Sequence, residues 1–432
     1  MRGFAKAILC PSSYISVILD DMNNVLNTIL GLLLAAILVA IITKKLSLPY
    51  TVGLVAAGIC LVFSPLHVNF VLIQNIIFQI ILPLLLFEAA INIRWKEFRQ
   101  DAAFILTLAT IGTLIAAATI TAIFYYILHW PFSAALVFGA LISATDPVTV
   151  IATFKENKVP GRLRVLVESE SLLNDGVAAV LFALALTWVN ATGLGSLSAP
   201  QIALMLVETI GGGIFVGGIC AAIAILLAGR TADHLVESTI STALAYASFM
   251  IAQHFHGSGI LAVVTSGLII GNFGLLETQR FEKFITPKGR QFTFELWDYI
   301  AFLANSFVFL LIGLAVAQIS FLDSDFKLLL ASIVAILISR AATIYPLCAL
   351  FCRSRWKVNY AFQHVLWWGG LRGALAIALA LSLPETMPLR DVIIMISFAI
   401  VAFSIFVQGL TMPVFLRFLK IIRSTYTGGP GG

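Results

Sequence analysis

The sequence predicts an all-α polytopic membrane protein of about thirteen transmembrane helices. Three observations point there. The 432 residues are 60% hydrophobic and 11% charged, with a mean hydropathy of +1.03, too few charges to coat a soluble globule of this size. The apolar residues fall in runs of about 20, the length that spans a hydrocarbon core. The basic residues gather in short connections between those runs, a membrane-topology pattern rather than a nucleic-acid footprint, so the net charge of +5 implies no nucleic-acid partner.

In chain order the runs predict helices near 24–43, 46–64, 69–92, 101–128, 133–154, 164–190, 200–229, 236–255, 258–274, 293–319, 326–352, 357–383 and 389–418. Residues 1–23 read as an N-terminal extension, 24–420 as one transmembrane domain and 421–432 as a flexible Gly-Pro tail. Loops after odd-numbered helices hold most of the Lys and Arg, among them Lys44, Lys45, Arg94, Arg162, Arg164, Arg353 and Lys357, whereas the opposite side carries Arg2, Lys6, Lys327 and Arg390. Basic loops stay in the cytoplasm. This places the N-terminus outside and the C-terminus in the cytoplasm of a cell (inner) membrane. The charged, aromatic stretch 275–292 reads as an interfacial amphipathic helix. The five cysteines and six histidines show no metal or disulfide spacing, and no cofactor is expected.

Two of the predicted helices carry breaks. The fifth contains Ser143-Ala144-Thr145-Asp146-Pro147, where proline removes a backbone donor and short polar side chains can serve the interrupted ends. The twelfth contains Gly369-Gly370-Leu371-Arg372-Gly373. Seven helices apart, they cross the bilayer in opposite senses. This predicts inverted six-helix repeats, about 24–190 and 236–418, joined by the helix at 200–229, with the discontinuous fifth and twelfth helices crossed at a substrate site.

The sixth helix carries Glu168 and Glu170-Ser171-Leu172-Leu173-Asn174-Asp175. Glu168, Ser171 and Asp175 share one face, and Glu170 with Asn174 forms an adjacent i,i+4 pair. Glu168 lies near the helix start, where a solvated position competes with a functional one. Ionisable groups at membrane depth mark functional sites. A hard monovalent cation wants oxygen ligands, and Asp175, Asp146, Glu170, Ser171 and Thr145 supply them. Burial makes a lone carboxylate costly to keep charged, so it takes either a proton or a cation but not easily both. That competition describes an exchanger. Glu88 on the third helix, Arg340 and Arg372 read as scaffold charges, an ion pair or triad joining Glu88 to one arginine with Asn174 nearby. A cation channel using the acidic cluster as a selectivity site is the alternative, though no repeated pore loop accompanies it. An enzyme is not expected, since no nucleophile or metal set joins the two aspartates.

These motifs, Phe87-Glu88, Ala144-Thr145-Asp146-Pro147, Glu170-Ser171-Leu172-Leu173-Asn174-Asp175-Gly176, Ser339-Arg340-Ala341 and Gly369-Gly370-Leu371-Arg372-Gly373-Ala374, occur in an order that resembles the prokaryotic sodium/proton exchangers of the cation:proton antiporter-1 family. The resemblance spans nearly the whole chain. It implies the sodium/proton antiporter fold, usually a homodimer in the lipid bilayer, and antiport of Na+, with Li+ and K+ as alternatives, against H+ in pH homeostasis. It further implies that Asp175 is the principal ion- and proton-binding carboxylate, completed or supported by Asp146, Thr145, Glu170 and Ser171. Asn174 matches the branch expected to exchange one cation for one proton, and Glu88, Arg340 and Arg372 match the family's scaffold charges. Ser169 stands where many relatives have glycine.

Overall fold

The computed structural model describes residues 12–46, 48–62, 76–157, 159, 161–190, 199–231, 233–276, 287–318 and 326–422. Among these every regular element is helical: α1 Ser12–Leu46, α2 Tyr50–Leu61, α3 Ile76–Asn92, α4 Trp95–Ile127, α5 Phe132–Ile142, α6 Val148–Glu156, α7 Gly161–Asn190, α8 Ala199–Ala228, α9 His234–His254, α10 Gly259–Phe273, α11 Pro287–Gln318, α12 Phe326–Leu350, α13 Tyr360–Trp368, α14 Ala374–Leu381 and α15 Arg390–Phe418. Eight of them are long and apolar enough to cross a membrane, and α2, α3, α5 and α10 are shorter apolar helices. Each of the predicted runs carries helix. The first begins at Ser12, inside the segment read as an N-terminal extension. Most of the stretch read as an interfacial helix, 277–286, lies outside the described residues.

Both predicted breaks are real, and each has a local cause. α5 stops at Ile142, and Pro147, which has no amide hydrogen to give, stands one residue before α6. α13 stops at Trp368, and Gly369 to Gly373 cross to α14 without regular hydrogen bonding. Elsewhere small residues set how closely helices approach. Gly58 of α2 lies on the Leu310 carbonyl of α11, and Gly313 of α11 lies on the Val55 carbonyl of α2, so a Cβ at either position would meet backbone. This reciprocal contact, with Thr51 hydrogen-bonded to Thr149 across α2 and α6 at 2.9 Å, fixes one wall beside the broken helices.

Candidate cation site at the crossed breaks

The two breaks meet main chain to main chain. The Asp146 amide donates to the Leu371 carbonyl at 2.8 Å. Four helix ends therefore converge, two N-termini with partial positive charge and two C-termini with partial negative charge, and charged side chains serve all four.

Asp146 serves the N-termini. Its carboxylate accepts from the Val148 amide at the start of α6 at 2.9 Å and from the Ala374 amide at the start of α14. Gly373 leaves the room this needs, because a Cβ there would collide with the Asp146 carboxylate. Two arginines serve the C-termini. Arg372 Nη1 donates to the Ser143 and Ala144 carbonyls beyond the end of α5, at 2.6 and 2.8 Å, and Arg340 Nε donates to the Leu366 carbonyl near the end of α13 at 3.1 Å. Both arginines are buried.

α7 grips this crossing from one side. Ser171 Oγ donates to the Thr145 carbonyl. Asn174 Nδ2 donates to Thr145 Oγ1 at 3.3 Å and to Glu170 Oε1 at 3.2 Å, so the i,i+4 pair expected from the spacing forms. Both Glu170 oxygens then accept from Arg340, each at 2.9 Å, in a buried bidentate pair.

Glu170, not Glu88, is thus the carboxylate that pairs with one of the two helix-buried arginines, Arg340, which corrects the sequence expectation. Arg372 holds the two carbonyls through Nη1 alone, its buried Nε and Nη2 having no hydrogen-bond partner, Arg340 holds Glu170 and the Leu366 carbonyl, and neither hydrogen-bonds Glu88. Glu88 Oε1 instead accepts from Asn92 Nδ2 at 2.8 Å, one turn along its own helix.

Asp146, Asp175, Thr145 and Glu88 line one cavity of about 100 Å³ between α3, the crossed breaks, α7 and α11, room for a few water molecules. The five expected ligands separate here. Thr145, Asp146 and Asp175 line the cavity, whereas Glu170 and Ser171 stand behind that lining with their hydrogen bonds directed at Arg340, Asn174 and Thr145. Two further polar residues line it, Glu168 of α7 and Asn305 of α11. Asn305 went unnoticed in the sequence, although an Asn-Ser pair inside the apolar run of α11 is a signal of the same kind as Asp146. The charged groups acting most strongly on Asp175 are Asp146, Glu170 and Arg372. Glu170 is balanced by Arg340, which leaves Asp146, Asp175 and Arg372 as the remaining charged groups of the crossing.

Residues 32–418 match the family model described as sodium/hydrogen exchanger, transmembrane. The chain is 40% identical over 387 residues to the Na(+)/H(+) antiporter ApNhaP of Aphanothece halophytica, covering 88% of this chain and 72% of that protein. It is 35% identical over 381 residues to the low-affinity Na(+)/H(+) antiporter NhaS1 of Synechocystis sp., covering 87% of this chain and 70% of that one. Its fold is similar to that of the sodium proton antiporter MjNhaP1 of Methanocaldococcus jannaschii, with a TM-score of 0.70 over 91% of this chain and 97% of that one, at 22% identity.

Proposed function

The chain belongs to the sodium/hydrogen exchanger family and is a multi-pass membrane protein, and on that premise we propose that it exchanges Na+ for H+ across a cell membrane by alternating access, one for one. The observation that carries the proposal is the charge count around the cavity. Asp146 and Asp175 face one small space with Glu88 and Glu168; Glu170 is neutralised by Arg340 and Glu168 by Arg164, Arg372 offsets one of the two aspartates, and Glu88, hydrogen-bonded to Asn92, enters the count as a neutral acid. One monovalent cation or one proton brings the site to neutrality. Either neutral form can pass an apolar barrier between two access states, whereas the empty site, at −1, pays the cost of a charge in a low-dielectric region. Coupling follows from that difference.

In this reading Asp175 exchanges cation for proton. Asp146 lends its charge while it remains tied to two helix N-termini, and Thr145 supplies a further oxygen. Ser171, Asn174, Glu170 and Arg340 hold the break in position. The inverted-repeat architecture with thirteen crossings, the outside N-terminus, the cytoplasmic C-terminus and the homodimer all belong to this proposal. Selectivity among Na+, Li+ and K+ turns on the same oxygens.

The test is cation-driven proton movement in proteoliposomes at clamped membrane potentials. Proton movement on Na+ addition, insensitive to potential, is the expected result, and Asp175→Asn lowers it by more than roughly 100-fold, as removing the exchanging group demands. Wild-type rates in that variant would remove Asp175 from the site. Currents exceeding carrier turnover without a proton gradient would replace the exchanger with a channel.

A further inference from the structure

Toward the Gly161 end of α7 lies a second and more polar cavity of about 500 Å³, lined by Asn92, Arg94, Glu97, Arg164, Glu168 and Ser169 among others. Among the described residues only Glu168 lines both this vestibule and the cavity of Asp146 and Asp175. It stands seven residues before Asp175 on the same face of α7, about 10 Å along the axis, with Leu172 between them lining the inner cavity. A cation or proton travelling from the vestibule to Asp175 passes this carboxylate.

Glu168 has a resting partner. Arg164 Nε donates to Glu168 Oε1 at 3.1 Å, one turn back on α7, and the two side chains keep 37% and 19% of their surface exposed. A pair in contact with water at this spacing is weak and exchanges readily. Lys155, Glu97 and, across the inner cavity, Glu88 also act on Glu168. Beside it the Ser169 hydroxyl is fully buried, lines the vestibule and has no hydrogen-bond partner. A second link between the cavities runs through Glu88 in the inner one and Asn92 in the vestibule, hydrogen-bonded to each other.

We propose that Glu168 is the staging carboxylate on the vestibule side of Asp175, held in reserve by Arg164. An arriving monovalent cation displaces the Arg164 guanidinium, exchanges part of its hydration for Glu168 oxygen with the Ser169 hydroxyl beside it, and moves two helical turns to Asp175. The inference rests on the exchange at Asp175 proposed above. It makes Glu168 a positioning residue for that reaction, and by the distribution of basic loops the vestibule faces the cytoplasm.

Sided kinetics test it. In oriented proteoliposomes, Glu168→Gln raises the apparent KM for Na+ presented at the vestibule face by roughly tenfold, the low end of what charge focusing in a cleft supplies. Maximal rate and the KM at the opposite face stay at wild-type values. Because a substitution cannot shift the equilibrium of a one-for-one exchange, the apparent proton KM at the vestibule face must rise by the same factor. Arg164→Gln moves the same KM the other way by releasing Glu168, and Glu168→Asp recovers part of the loss. If the wild type exchanges but Glu168→Gln changes neither face, or both equally, Glu168 is not a staging residue. If Arg164→Gln raises the vestibule KM, Arg164 is not its reserve partner. A wild type that exchanges nothing would instead overturn the function on which the inference rests.

Discussion

The break between α5 and α6 and the break between α13 and α14 do the same mechanical job with opposite chemistry. The first is made by a proline and carries a carboxylate; the second is made by glycines and carries a guanidinium. Arg372 works on the other segment, and Asp146 on both. Asp146 caps its own α6 and reaches the N-terminus of α14, and Arg372 reaches the carbonyls just beyond α5. Neither broken helix is satisfied alone, so the crossing is held together by the needs of its own ends. The difference also divides labour. Asp146 keeps access to the cavity while it caps, whereas Arg372 is fully buried and contributes charge and position.

The strongest way to break this arrangement is to attack the anchor that serves the second break from outside. Arg340→Gln removes the partner of Glu170, whose side chain is only 3% exposed, and stranding a buried charge costs about 3–5 kcal/mol. The expected outcome is a large loss of thermal stability in detergent. The double variant Arg340→Gln with Glu170→Gln restores much of it, since two neutral amides can hydrogen-bond each other. A double variant no more stable than the single one would mean that the Leu366 cap, not the ion pair, is what Arg340 supplies.

A smaller effect, confined to transport, is expected at Gly373. A methyl group there must push the Asp146 carboxylate away from the Val148 and Ala374 amides or force the breaks apart. Gly373→Ala should lower exchange about 10- to 100-fold, or roughly 1.4–2.8 kcal/mol, in protein that still inserts and folds. Gly218→Ala, where a Cβ meets nothing within 4 Å, is the matched control and should leave transport unchanged. Equal activity in the two variants would show that Asp146 need not sit where it does.

Much of this site was legible before any coordinates, and the boundary of legibility is physical. Breaks announce themselves because Pro147 and the run from Gly369 to Gly373 act on their own backbone. The acidic motif of α7 stands out because carboxylates are rare in apolar runs, and the Asn174 and Glu170 contact follows from i,i+4 geometry. Partner choice across helices does not follow. Arg340 and Glu170 are 170 residues apart, and the rotation of α12, set by its packing on α4, α13 and α15, decides whether that arginine meets Glu170 or Glu88. Glu88 found Asn92 instead, again at i,i+4, a local option that the sequence did display. Glu168 was ambiguous because helix position alone does not tell a solvated start from the neck between two cavities.

The finest distinction separates the charge of Arg372 from its shape. Arg372→Lys keeps the site at −1 when empty and neutral when loaded, but a point-like ammonium cannot reproduce the hold on the Ser143 and Ala144 carbonyls. Transport should fall by about tenfold, the loss of one charge-assisted hydrogen bond at the low end of its range, and remain insensitive to membrane potential. Arg372→Gln removes the charge as well, so the site is −2 when empty and still −1 when loaded with either passenger. The one-for-one stoichiometry proposed above would be unchanged, because each passenger still replaces the other. Each half-cycle now carries a charge through the membrane field, however, and the rate of any residual exchange becomes dependent on potential. Rate measurements on both variants across clamped potentials read this directly. A potential-sensitive Arg372→Lys, or an exchanging Arg372→Gln that ignores potential, would show that the site is not balanced as two aspartates against one arginine.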